Sequence, residues 1–486
     1  MALSSSKKKI IIFISLVLTI MALLFVGKKL LDYYRPHTTP SAERLTRAGK
    51  EAWITIFVHG SFCSPFGLLN VFETVQDEVL GTRYQKLNKM VRADPYFYQE
   101  QTILERGLLP INPSFDLRVT SGKILAAYPL IKAYDEVNEY VKPGQEHNFY
   151  YTFGWSGLLS QKVRRYEGMR LYNMLNAEFE SFKKQGLVPK VRVVGHSHAG
   201  NVLLNLALID EVLAQGIEKP IKIDITSAQK KHKTEAMEGM RQLLVGLPSE
   251  HHARQHKGNK RWDYRPVDKG LVIDESIILG CPIQPETDHC VALNTFKKMY
   301  NFYSGEDIIQ KMDWISTKRY FSDQRFTTEC SRLVQAKVML DRAFFADKQQ
   351  QSSSFLSSLW HQVANVVGFF VRQSNDPTHR ELWYAGWEDV QSDTSIAPLP
   401  TFIFIPLLIN AIEASKAFHD VDLNIQLNTK RLTVSVFQHN QSEVEYTVQM
   451  PTDLVNYIRK SVLLWKPSDL AADKKFDIIN GYVAKL

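Results

Sequence analysis

Hydrophobic positions along the chain follow two rhythms that alternate with each other. Residues 54–58 (ITIFV), 150–153 (YYTF), 191–194 (VRVV) and 299–303 (MYNFY) are short apolar runs that read as buried strands, and 273–279 (IDESIIL) reads as a less regular one. Between them, residues 163–184 and 201–213 carry apolar side chains at three- and four-residue spacing, as helices with one buried stripe do. Strands alternating with helices predict an α/β fold class: a mostly parallel sheet with helices on both faces. Beyond about residue 420, alternation at Leu432, Val434 and Val436 predicts a small β-hairpin region, followed by a helix near 454–464.

The first fifty residues follow neither rhythm. Residues 10–26 (IIIFISLVLTIMALLFV) carry no charge, and Ser15 and Thr19 are their polar members. As a helix this run spans about 25 Å, slightly short of a bilayer core, and the flanking Lys7, Lys8, Lys9, Lys28 and Lys29 can snorkel to make up the difference. The run ends in Phe25-Val26-Gly27-Lys28-Lys29 without a small-x-small cleavage pattern, so it reads as an uncleaved single-pass anchor. The predicted organisation is an anchor over 1–27, a tether over 28–50, a main domain over 51–420 and a small β/α appendage over 421–486. Lysines and arginines lie on both sides of the anchor; the short tail ahead of it favours an exported main domain.

Three stretches read as insertions in that domain. Residues 64–145 mix helical pieces with Pro-containing loops, and residues 229–270 are basic and His-rich. Residues 345–375 run from a Gln/Ser-rich linker into 355–371 (FLSSLWHQVANVVGFFV), which suits either a packed core helix or a lid or membrane-facing helix.

Composition narrows the function. With 44% hydrophobic and 23% charged residues, the 486-residue chain is neither disordered nor fibrous. Cys63, Cys281, Cys290 and Cys330 are too few for a disulfide scaffold and form no C-x-x-C pair. The net charge of +8 is concentrated: residues 1–50 hold nine Lys/Arg against two Asp/Glu, and residues 229–270 hold ten against five. The remainder is therefore net acidic, which argues against nucleic acid as a partner and for an anionic membrane surface. His251, His252 and His256 lack the H-E-x-x-H arrangement of a zinc site, and no phosphate-binding or dinucleotide loop is present, so neither metal nor cofactor is expected.

The sharpest local signal is Val193-Val194-Gly195-His196-Ser197-His198-Ala199-Gly200-Asn201-Val202. A strand that turns abruptly into a helix with serine at its apex needs small residues two before and two after that serine, and Gly195 and Ala199 supply them. A serine hydroxyl becomes nucleophilic when an imidazole takes its proton and a carboxylate orients that imidazole.

This elbow, together with Val58-His59-Gly60-Ser61-Phe62 upstream, resembles the α/β-hydrolase superfamily, in particular its lipase and esterase branches. Phe153-Gly154-Trp155-Ser156-Gly157, Leu279-Gly280-Cys281-Pro282-Ile283 and Asn301-Phe302-Tyr303-Ser304-Gly305-Glu306-Asp307 look like further pieces of that pattern, in order, over about residues 51–385. Ala199 stands where glycine is commoner. The resemblance implies the order Ser, acid, His: Ser197 as nucleophile, Asp307 as acid (Glu306 and Asp313 being alternatives) and His379 as base, ahead of His361, His419 and His439. It implies oxyanion donors at the backbone of His198 and of Ser61 or Phe62, with His59 a structural turn residue. The expected activity is cleavage of a carboxylic ester, with a lipid favoured, through an acyl-enzyme and without a cofactor. A non-catalytic interaction domain at a membrane, or a peptidase, thioesterase or acyltransferase with the same nucleophile, are the competing expectations.

Overall fold

A computed structural model of the chain describes residues 51–60, 107–111, 127–144, 147–155, 157, 160–218, 228–249, 262–267, 270–305, 307, 310, 322–341, 376–377, 382, 401–416, 419–427, 432–455 and 458. The expected anchor and tether, most of the 64–145 stretch and all of 345–375 lie outside these residues. Among the described residues no helix is long and apolar enough to cross a membrane.

Among the described residues ten strands form one sheet: β1 (Glu51–Val58), β2 (Gly107–Ile111), β3 (His147–Gly154), β4 (Val188–His196), β5 (Glu275–Leu279), β6 (Met299–Tyr303), β7 (Leu333–Asp341), β8 (Asp420–Leu427), β9 (Leu432–Gln438) and β10 (Val444–Met450). Their order is β10-β9-β8-β7-β6-β5-β4-β1-β3-β2. From β3 to β8 neighbouring strands run parallel, while β2, β9 and β10 are antiparallel to their neighbours at the two ends. The helices are α1 (Ala127–Val141), α2 (Gln161–Lys184), α3 (Ala199–Gln215), α4 (Ala228–Val245) and α5 (Ile405–Ser415), with a single turn at Pro285–Asp288. The expected α/β class with a mostly parallel sheet is what the structure has.

Strand alternation sorts the apolar side chains onto two faces. Ile54, Ile56, Val58, Val191, Val193 and Ile278 pack with Met169, Leu203, Leu206, Met237 and Met240 of α2, α3 and α4. Phe57, Val194, Ile277, Leu279, Tyr300 and Phe302 pack on the other face with Tyr134 of α1 and Leu408 of α5. A central parallel strand is covered on both sides, and that is why its sequence reads as a continuous apolar run.

Two of the stretches read as insertions contribute to this frame. Within 64–145, β2 pairs with β3 at the sheet edge, where Pro110 is tolerated, and α1 covers the second face. Within 229–270, α4 buries Ala236, Met237, Met240 and Leu244 in the first core. Residues assigned to the appendage supply most of β8 and all of β9 and β10, which extend the sheet in register from β7. Of the helix expected near 454–464, residues 454, 455 and 458 are described, and Val455 and Ile458 are buried in the second core.

Candidate active site

Register brings the candidate residues to one edge of the sheet. Val58 stands opposite both Phe153 and Gly195, His196 opposite Leu279, and Leu279 opposite Phe302. The described residues just past these strand ends therefore share the same edge: His59–Gly60, Trp155, Ser197, Gly280–Cys281, Ser304, Gly305 and Asp307. The chain leaves β1 towards β3 and leaves β4 towards β5, although β1 and β4 are neighbours. Such a reversal opens a crevice between adjacent loops at the carboxyl ends of the strands, the place where open α/β sheets bind ligands.

Ser197 sits at that reversal. Its φ of 54° puts a non-glycine residue in the left-handed region, at a cost of about 1–2 kcal/mol. The turn is held from both sides: Ser197 N–H donates to Leu279 O at 2.9 Å, and Gly200 N–H donates to Ser197 O at 2.9 Å. The small residues around it are sterically required. A Cβ on Gly195 would stand 2.8 Å from Leu203 Cδ1, and one on Gly200 would overlap Cys281. Across the crevice, a Cβ on Gly60 would stand 2.9 Å from Ser197 Cβ and 3.0 Å from His196 Nδ1. The β1 turn thus lies directly against the serine.

His59 fixes that turn. Trp155 N–H donates to His59 Nε2 at 3.3 Å, so Nδ1 carries the proton and donates to Gly60 O at 2.6 Å. The Trp155 indole N–H donates to His59 O at 2.6 Å, and the two rings stack at 5.7 Å. His59 is thus the structural turn residue expected from the sequence. Trp155, fully buried, holds this turn in place, and nothing in its local sequence signals that contact.

Asp307 lies past β6, two strands from β4 and so about 10 Å across the sheet, and is fully buried. Its Oδ1 accepts the Gln310 N–H at 3.1 Å and its carbonyl accepts Gln324 Nε2 at 3.2 Å. Gln310 in turn donates its Nε2 to Cys281 O at 2.6 Å, tying the Asp307 loop to the loop after β5. His379 lies outside the described residues, but the chain just before it does not. Ser304 Oγ donates to Pro377 O at 2.5 Å, Asp376 pairs with Lys337 at 3.2 Å, and a Cβ on Gly305 would stand 2.5 Å from Asp376 Oδ2. Leu382, three residues after His379, is buried in the second core. Beside this loop, burial, opposed by Arg325 and reinforced by Asp420, Asp422 and Asp376, pushes the Tyr303 hydroxyl up to about 12, so it stays protonated.

The other candidates divide clearly. His198 is the N-cap of α3, at the positive end of a helix with no acidic residue in its first turn. Ser61, Phe62, Glu306, Asp313 and His361 lie outside the described residues. His419 and His439 flank β8 and β9, four and five strand spacings from β4, about 19 and 24 Å across the sheet. His439 Nδ1 is engaged there with Asp422 at 2.8 Å. Among the described residues no group of His, Cys, Asp and Glu is arranged to hold a metal ion.

Compared with known proteins, the chain matches no family model, no curated protein and no solved structure.

Proposed function

We propose that the protein is a membrane-tethered serine hydrolase of α/β-hydrolase type that cleaves a carboxylic ester through an acyl-enzyme. The observation that carries this reading is the strained Ser197 turn, held at the reversal of strand order with Gly60 against it. Strain of this kind persists where the surroundings over-determine it, and here it presents a hydroxyl at the head of a helix.

In this reading His379 accepts the Ser197 proton while Oγ attacks the ester carbonyl. The docked Asp376–Pro377 segment supports His379 as the base, because two residues of chain reach no more than about 7 Å from Pro377, itself anchored on Ser304 beside Asp307. Asp307 orients the imidazole, and the backbone N–H groups of His198 and of Ser61 or Phe62 receive the developing oxyanion. The imidazolium then protonates the leaving alcohol, and water, deprotonated by the same imidazole, releases the acid. A lipid ester is the favoured substrate, because an apolar N-terminal segment and the aromatic 355–371 stretch accompany the site.

The test is labelling with a fluorophosphonate probe. Wild type labels and Ser197→Ala does not; equal labelling of the two sinks the reading. Turnover of p-nitrophenyl esters of increasing chain length then separates a lipase, which prefers long chains, from a short-chain esterase. A wild type that folds but neither labels nor turns over any ester supports the interaction-domain reading instead.

A further inference from the structure

We propose that Lys337 is a positioning residue of the Ser197 site, acting through Asp376 on the segment that carries His379. This rests on the hydrolase reading and adds to it the charge that fixes the base segment. Lys337 lies in the middle of β7, where Ala336 and Val338 face the second core, so its own side chain takes the opposite face. Register sets Tyr303 of β6 on one side of it and Asp422 of β8 on the other. The carboxylate that the ammonium holds comes from neither strand: Asp376 Oδ2 stands 3.2 Å from Lys337 Nζ. The other carboxylates nearby are engaged elsewhere. Asp422 pairs with His439 Nδ1 at 2.8 Å and accepts Asn440 N–H at 3.3 Å, while Asp420 pairs with Arg325 at 2.7 Å. The Arg325 guanidinium itself lies 5.8 Å over the Tyr303 ring.

The pair is built into the turn after β6. A Cβ on Gly305 would stand 2.5 Å from Asp376 Oδ2 and 3.4 Å from Lys337 Cε, so both side chains lie directly on the glycine. With 28% of the lysine side chain and 14% of the aspartate side chain exposed, the pair is better shielded from water than an ordinary surface ion pair. The next residue is Pro377, whose carbonyl accepts Ser304 Oγ at 2.5 Å. A proline fixes its own φ and confines the residue before it to extended backbone. Holding the Asp376 side chain therefore also sets the direction in which the chain leaves towards His379.

Three residues of chain reach no more than about 11 Å, so His379 lies within that distance of Asp376. One charge on β7 thus docks the base segment against the turn that carries the candidate acid, Asp307. Lys337 itself is three strand spacings from β4, about 14 Å across the sheet, and acts on the serine only through that segment. The two partners oppose each other electrostatically at His379. Loss of the ammonium leaves a carboxylate that favours the imidazolium, and loss of the carboxylate leaves an ammonium that disfavours it.

The experiment follows the fluorophosphonate labelling rate of the full-length protein against pH. Lys337→Met and Asp376→Asn each lower the plateau rate about tenfold, the double replacement loses no more than the worse single one, and Lys337→Arg keeps most of the rate. The acid limb of the profile moves to higher pH in Lys337→Met and to lower pH in Asp376→Asn, by about 0.3 unit each at about 11 Å in a water-like dielectric. Tyr303, Arg325, Asp420, Asp422 and His439, the other charged or titratable groups around Lys337, are the same in both variants and cannot produce shifts of opposite sign. A merely structural role lowers both rates without opposed shifts. Labelling of wild type but not Ser197→Ala, with wild-type rates in both single variants, additive losses, or limbs that move together, overturns the role of Lys337 and leaves the hydrolase reading standing. A wild type that does not label removes both. Should Lys337→Met fail to fold, Lys337→Gln and Asp376→Asn decide it by the same comparison.

Discussion

Gly200→Ala tests the packing that shapes the serine turn, because two effects predict opposite signs. Gly200 is the second residue of α3, and replacing a helical glycine by alanine ordinarily stabilises by up to about 1 kcal/mol. Here the new methyl would overlap Cys281 Sγ, stand 2.7 Å from Cys281 Cβ and 3.3 Å from Ile278 Cγ2. Reaching an ordinary contact of about 3.4 Å requires Cys281 Cβ to recede by about 0.7 Å. That carbon has little freedom: Gly280 N–H is bonded to Phe302 O at 2.8 Å, Cys281 O accepts Gln310 at 2.6 Å, and Asn201 Nδ2 holds Pro282 O at 2.9 Å. Overpacking a fixed core costs about 1–3 kcal/mol, and the rigid surroundings put this case at the upper end. Subtracting the propensity gain leaves a net loss of about 2 kcal/mol, a sizeable part of a total stability of about 5–15 kcal/mol. Urea unfolding at constant m-value measures it. In a Cys281→Gly background, which removes both atoms, Gly200→Ala becomes neutral or stabilising. A stabilising effect in the parent, or the same loss in both backgrounds, refutes the packing argument.

Three further outcomes are expected. Glu275→Ala takes from Arg192, which is 3% exposed, the carboxylate paired with it at 2.6 Å, and costs about 3 kcal/mol by urea unfolding, with Asn138 and the Trp53 ring still in contact with the guanidinium; the apolar double replacement Arg192→Met with Glu275→Leu costs much less. His289, whose pKa burial and then Lys233 lower to about 4, binds its proton more readily in the unfolded chain. Stability from this group is therefore complete above about pH 6.5 and is lost as pH falls towards 4, by about 3 kcal/mol in all, and His289→Gln flattens that part of the stability profile. Ser304→Ala removes the hydrogen bond that ties Pro377 to the Asp307 loop, and the proposed function expects the fluorophosphonate labelling rate to fall about tenfold with the thermal midpoint little changed; an unchanged rate would separate that loop from the proposed activation of Ser197.

The strands that could be read from the sequence are those buried on both faces, because two cores demand apolar residues at nearly every position. The parallel runs ending at Val58, Phe153, His196 and Tyr303 are of this kind. β5 looked irregular for a physical reason: Asp274 just before it accepts Val191 N–H at 2.9 Å and pairs with Lys297 at 2.7 Å, and Glu275 inside it neutralises Arg192. Charges that complete a fold read locally as interruptions of it. β2 escaped notice because it is a five-residue edge strand containing Pro110, and edge position is a property of the partner strands rather than of its own residues. For the same reason β8 to β10 looked like an appendage: their pairing to β7 is long-range, and alternation reveals a strand without revealing its neighbour.

The candidate site divides along the same line. Ser197 was legible because its turn imposes small residues at fixed offsets in one continuous segment, where Leu203 and Cys281 forbid side chains at Gly195 and Gly200. Trp155 was not legible, since its role depends on meeting His59 across 96 positions of chain, and neither residue signals the other. Gly60 lies between these cases. Its turn could be read from the apolar run that it ends, whereas the need for glycine comes from Ser197 approaching from β4. The reversal of strand order accounts for that approach: it brings the turn after β1 and the turn after β4 together although some 137 residues separate Gly60 from Ser197. A serine turn placed after any other strand of this sheet would keep its local motif but lose the wall formed by Gly60, so topology, and not the motif alone, makes this serine the candidate nucleophile.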